Sequence, residues 1–132
     1  DILKNEQIDF TLGFRKLVDL IDEKKKDSFF EKKIRNKKVF YDWLSQWKKR
    51  LENESKKISV IISTMNNVNP LFIPRNHLVE NAINMAVLRD NFLPMRELLK
   101  IIREPFSEKK GKEKFSLPPK PQEVVKNTFC GT

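Results

Sequence analysis

Along most of the chain, apolar residues return every three or four positions, the repeat of an α-helix with one buried face. Asp9 is placed as an N-cap, and Phe10, Phe14, Leu17 and Ile21 then form the stripe of a first full helix. The charged run 23–27 breaks that stripe and reads as a solvated link. Ser28 caps a short piece carrying Phe29, Phe30 and Ile34. A longer helix is predicted from about Lys38 to Glu52. Phe40, Trp43, Leu44, Trp47 and Leu51 share one of its faces, and Lys48, Lys49 and Arg50 lie mainly on the rest. Ser55 opens the next element, with Ile58, Ile61, Ile62 and Met65 at helical spacing. The β-branched run 58–62 also suits a strand, but the spacing and the lack of a partner strand favour a helix.

Asn66-Asn67-Val68-Asn69-Pro70 is a breaker. Asn69 and Ile73 each precede a proline and are pushed out of the α region. Pro74 suits the first position of a helix, where its missing N–H does no harm. That helix carries Leu78, Val79, Ala82, Ile83 and Ala86 and stops near Asp90-Asn91. Either of those residues can cap another helix, with Pro94 in its first turn and Met95, Leu98, Leu99 and Ile102 as its buried stripe. Pro105 ends it. From Phe106 the periodicity disappears, residues 107–114 are charged, and Leu117-Pro118-Pro119-Lys120-Pro121 must be extended. No internal repeat is present. The pattern predicts an all-α fold: a compact array of five or six helices over residues 1–105, then an extended, proline-containing tail over 106–132, loose in solution or laid across another surface. Asp1-Ile2-Leu3-Lys4 is neither a signal peptide nor an initiator methionine context and reads as the end of a helix, so a segment of a larger protein is expected.

Composition narrows this picture. A 39% apolar share in 132 residues supports one modest core, and three glycines are too few for a turn-rich β sandwich or barrel. The net charge of +9 raises the question of nucleic acid. Most of the excess is lysine spread over helix surfaces, whereas bidentate phosphate recognition favours arginine, so solvated helix faces explain the charge better. The competing reading is a basic helical adaptor for RNA or an acidic protein partner. It would use Lys32, Lys33, Arg35, Lys37 and Lys38 and show salt-sensitive binding. No apolar run approaches the roughly 20 residues of a membrane span.

Chemistry-bearing motifs are sparse. There is no GxGxxG and no GxxxxGK[ST] phosphate loop. His77 is the sole histidine and Cys130 the sole cysteine, which leaves no catalytic Cys-His or Ser-His constellation of recognisable spacing, no zinc cluster and no disulfide within the chain. Trp43 and Trp47 are spaced to stack on bases, yet they share the stripe of Phe40, Leu44 and Leu51, which favours core packing. Arg75 and Asn76 stand at a helix N-terminus, a place that can bind an anion. The favoured reading is that Asn76 satisfies nearby backbone and Arg75 pairs with a carboxylate or carbonyl. The residue pattern does not separate an incidental surface thiol at Cys130 from a redox one.

Several segments together resemble the selenoprotein O family. Asp9-Phe10-Thr11 with Phe14, Arg15 and Leu17 resembles its D-Y-T…F-R-x-L segment. Trp43, Trp47, Arg50 and Leu51 resemble its W…W…R-L helix. Met65 to Pro70 followed by Arg75-Asn76 resembles M…V-N-P…R-N, and Ala82, Ile83 and Ala86 continue the match. Leu98-Leu99 through Pro105-Phe106 resembles L-L…L-R-N-P-F/Y, and Pro118-Pro119 the proline pair of the tail. Cys130, two residues before the end, matches the place of the family's terminal cysteine or selenocysteine. The chain departs from the family at Pro121-Gln122-Glu123, where a tryptophan is usual, and at Gly131-Thr132, which replace serines.

The resemblance implies a pseudokinase-like protein adenylyltransferase that transfers AMP from ATP to side-chain hydroxyls of protein substrates with magnesium or manganese. It implies that the catalytic and nucleotide-binding residues lie in a kinase-like part outside this chain, which itself holds no cofactor. Trp43, Trp47, Asn69, Pro70, Arg75 and Asn76 are then structural motif residues, and Cys130 is a candidate redox residue whose partner would lie in the catalytic part. The implied role is a structural or regulatory C-terminal segment that braces the kinase-like domain and transfers nothing alone. A regulatory lid controlled through Cys130 is a third possibility.

Overall fold

Residues 1–22, 25 and 29–127 are described by the computed structural model. They fall into two compact units, Asp1–Pro70 and Leu71 onward. Among the described residues there are seven α-helices, three 3-10 turns and no strand, so the fold is all-α.

The first unit holds α1 (Ile2–Asn5), α2 (Phe10–Lys16) with a 3-10 turn at Leu17–Leu20, α3 (Phe29–Lys33), α4 (Lys37–Asn53) and α5 (Ile58–Val68). Asp9 caps α2 as expected, its carboxylate accepting from the Leu12 N–H at 2.9 Å, an arrangement that typically contributes about 1 kcal/mol. The buried face of α2 differs from the predicted stripe. Leu12, Gly13, Arg15 and Val18 are buried, while Phe10 is 70% and Phe14 37% exposed. Gly13 explains part of this turn of the helix. A Cβ there would stand 2.9 Å from a Leu3 methyl and 3.3 Å from Ile8, so the glycine face is the one that can approach α1.

Ile8, Phe30, Ile34, Phe40 and Leu44 form the core of this unit. Phe30 stacks on Phe40 at 5.3 Å between ring centroids and takes the edge of Phe29 at 5.1 Å, geometries that suit the aromatic quadrupole. The Glu6 carboxylate ties α1 to the start of α4. It accepts from the backbone N–H groups of Arg35 at 2.8 Å and Asn36 at 3.0 Å. Asn36 in turn caps α4 through the Val39 N–H. Ser55 does not open α5; it takes a left-handed conformation (φ 51°), and the helix begins at Ile58 after Lys57. The expected break at 66–70 is narrower than predicted, because α5 runs on to Val68. Only Asn69, the pre-proline residue, turns extended.

The second unit holds α6 (Asn76–Arg89), α7 (Leu93–Ile102) and 3-10 turns at Glu113–Phe115 and Pro121–Glu123. Pro74 lies two residues ahead of α6 rather than at its first position. Asp90 ends α6 in the left-handed conformation (φ 49°), and the Asn91 side chain accepts from the Leu93 N–H at 3.0 Å to start α7. Ile101, not Leu99, completes the buried stripe of α7 with Leu98; Leu99 is exposed. Phe72, Leu98, Ile101 and Phe115 make the core. Phe115 belongs to a stretch without apolar periodicity, yet only 5% of it is exposed. The N–H groups of Leu71 and Phe72 both donate to the Pro105 carbonyl, at 2.7 and 3.0 Å.

Candidate functional site

Each unit contains one buried arginine among the motif residues, and each is held on backbone carbonyls. In the first unit Arg15 projects from α2, and its guanidinium donates to the carbonyl oxygens of Asn66 at 2.7 Å and Asn69 at 3.1 Å. These belong to the last turn of α5 and its end, where carbonyls lack helical partners and the helix dipole favours a cation. In the second unit Arg75 is the N-cap residue of α6, and its guanidinium donates to the Ser116 carbonyl at 2.8 Å. The Ser116 hydroxyl donates to the Glu113 carbonyl at 2.7 Å. Arg75 thereby fixes the turn that delivers Phe115 to the core. A carbonyl partner for Arg75 was one of the outcomes the sequence favoured. Asn76 is the exposed first residue of α6.

Trp43 and Trp47, one turn apart on α4, stack on each other with centroids 5.5 Å apart and planes 8° apart. Both are half-buried and packed against the core of Phe30, Phe40 and Leu44. Their mutual stacking covers one face of each indole. Asn69 supplies a carbonyl to Arg15, and Pro70 closes the first unit. Cys130 lies outside the described residues, as do the Ser28 cap and most of the 23–27 link.

His77, the second residue of α6, keeps Nδ1 out of solvent with no hydrogen-bond partner among the described residues, although the ring as a whole is only partly buried. Burial lowers its pKa from the usual 6.5, the nearby Arg75 charge lowers it further, and Glu123 opposes both. The basic cluster is exposed but partly engaged. Arg35 contacts the Glu6 carboxylate and the Asn5 carbonyl, Lys37 donates to the Glu31 carbonyl, and the Lys33 ammonium stands 5.7 Å from the Phe29 ring centroid. Hydrogen bonds from Lys109 and Lys112 hold the carboxyls of Glu104 and Glu97 below the usual range.

Among the described residues no three His, Cys, Asp or Glu side chains gather as a metal site would require. The sequence has no phosphate loop, and both buried arginines donate to backbone carbonyls. No helix of the described residues is long and apolar enough to cross a membrane.

The family model of Protein adenylyltransferase SelO matches residues 1–103. The chain belongs to this family. Curated relatives named Protein nucleotidyltransferase YdiU agree over nearly all of it. The one from Rhizobium leguminosarum bv. trifolii is 37% identical over 131 residues, covering 99% of this chain and 26% of the relative. The Rhizobium johnstonii protein is 38% identical with the same coverage. That of Rhodopseudomonas palustris strain BisB18 is 40% identical over 128 residues, covering 94% of this chain and 25% of its own length. The chain thus spans about a quarter of the curated relatives it matches. No solved structure matches it.

Sequence reasoning missed what Glu6 and Arg15 do within the matched residues 1–103, and what Phe115 does beyond them. Arg15 had a legible signal: it stands midway between Leu12 and Val18 at helical spacing, a cation within an apolar stripe. Glu6 and Phe115 had none, because both act across loops.

Proposed function

We propose that this chain is the C-terminal helical segment of a protein adenylyltransferase that transfers AMP from ATP to Ser, Thr or Tyr hydroxyls of protein substrates, and that it braces the rest of that polypeptide without performing chemistry itself. The observation that carries this reading is the fate of the motif arginines. Arg15 and Arg75 lie within the matched residues, are buried, and hold backbone carbonyls in place. Groups so engaged keep a scaffold in shape; they are not poised on a ligand. ATP and magnesium or manganese would bind in the kinase-like part of the polypeptide, outside these residues.

The test is AMP transfer from labelled ATP by the full-length polypeptide that contains this chain, alongside the 132 residues alone. Transfer by the former and none by the latter is the expected result. Turnover by the 132 residues alone, retained through purification, would show that the segment is a catalyst and overturn the scaffold role. No transfer by the full polypeptide to any protein hydroxyl would overturn the activity.

A further inference from the structure

The first unit carries a groove of about 420 Å³ whose lining includes Ile2, Leu3, Phe10, Phe14, Phe40 and Trp43. Phe10 and Phe14 stand one helical turn apart on α2, with ring centroids 4.6 Å apart. They are 70% and 37% exposed. The inner face of α2 is taken by Leu12, Gly13 and Arg15, so these two rings stay on the outer edge of the helix. Single exposed apolar residues are ordinary, but a contiguous exposed patch around a groove marks an interaction surface. Only Asp1 and Lys4 bring charge to the lining. The basic cluster of 32–38 is not part of it, so the groove suits an apolar protein segment and not a nucleic acid.

We propose that this groove seats an apolar segment of the same polypeptide from outside the 132 residues. The inference rests on the reading of the chain as part of a longer adenylyltransferase. About three quarters of the length of each relative lies outside the matched stretch. A tethered segment meets the groove at an effective concentration on the order of millimolar, whereas a second copy must find it from dilute solution. That advantage selects the tethered occupant over self-association.

The test uses the full-length polypeptide. Hydroxyl-radical footprinting, read residue by residue by mass spectrometry and normalised to intrinsic reactivity, reports how exposed Phe10 and Phe14 are. Both are expected to react several-fold more slowly than their exposure here implies, at every protein concentration. Phe10→Ser is expected to lower the melting midpoint of the full polypeptide, although that side chain holds little of the first unit together. Full reactivity of both rings, or an unchanged midpoint, overturns the proposal. Protection that fades on dilution assigns the groove to a second copy and also overturns it. AMP transfer is measured on the same preparation; its absence counts against the functional reading alone, since the footprint decides the groove by itself.

Discussion

The Arg15 guanidinium lies 2.7 Å from the carbonyl oxygen of Asn66, fifty-one positions further along the chain. With the second bond to Asn69 it joins the last turn of α2 to the end of α5. The residue is 8% exposed, so its charge is set almost wholly against these carbonyls and its remaining neighbours. A hydrogen bond from a charged donor is worth more than a neutral one, and its loss here also strands carbonyls at a helix end.

Arg15→Met should therefore destabilise the first unit by about 2–3 kcal/mol. Urea unfolding followed by the fluorescence of Trp43 and Trp47, both in that unit, reads the change. Arg15→Lys should recover part of it, because both bonds leave one terminal nitrogen, Nη1, and an ammonium can also donate to two carbonyls. Wild-type stability in the methionine variant would mean the two bonds contribute nothing net.

Arg75 plays the corresponding part for the segment after α7. Removing its bond to the Ser116 carbonyl in Arg75→Met should loosen the 3-10 turn Glu113–Phe115 while leaving the α6–α7 pair formed. Amide hydrogen exchange separates these effects. The Phe115 and Ser116 N–H groups, which donate to Lys112 and Glu113 carbonyls, should exchange faster, with α7 much less affected. Equal acceleration throughout the second unit would show that Arg75 holds the whole unit and not that turn.

Phe115 itself should matter more than its place in a charged stretch suggests. Its ring packs with Phe72, Leu98 and Ile101. Phe115→Ala should cost about 3–5 kcal/mol in the second unit, the transfer of a large ring plus the cavity left behind. Thermal unfolding of that unit, followed by exchange of α7 amides, measures it. A loss below about 1 kcal/mol would mean the core closes over the gap.

Helix existence was legible in the sequence because it depends on a local repeat. The stripes of α4 and α7 predicted real helices within a residue or two, and Asp9, Asp90 and Pro94 marked real ends. What the repeat could not show was which of two adjacent faces turns inward. On α2 the large rings at 10 and 14 suggested one face, but Gly13 against Leu3 and Arg15 against Asn66 chose the other. Both deciding contacts come from other elements, one in the preceding helix α1 and one fifty-one positions away in α5. Among the motif residues, the spacing of Trp43 and Trp47 put them on the stripe of α4 that faces the core, against which they pack half-buried. The carbonyl partners of Arg15 and Arg75 lie 51 and 41 positions away and leave no local trace.

His77 sets a pH dependence of determinate sign. Its folded-state pKa lies below the usual 6.5, chiefly because burial disfavours the charged ring. The folded state therefore binds the proton less readily than the unfolded chain. Above 6.5 both states hold a neutral ring and its contribution to stability is complete. As the pH falls below 6.5 the unfolded chain takes up the proton first, and stability declines until the lower folded-state pKa is passed. The depressed carboxyls of Glu6, Glu97, Glu104 and Glu113 add acid sensitivity of the same direction, but theirs begins only below their ordinary value of 4.5. The window just under 6.5 thus belongs to the single histidine. The urea midpoint of the second unit should drop between about pH 7.5 and about pH 5.5 in the wild type, and drop less in His77→Gln, which has no proton to gain. Identical drops in the two proteins would assign the slope to other groups and remove His77 as its source.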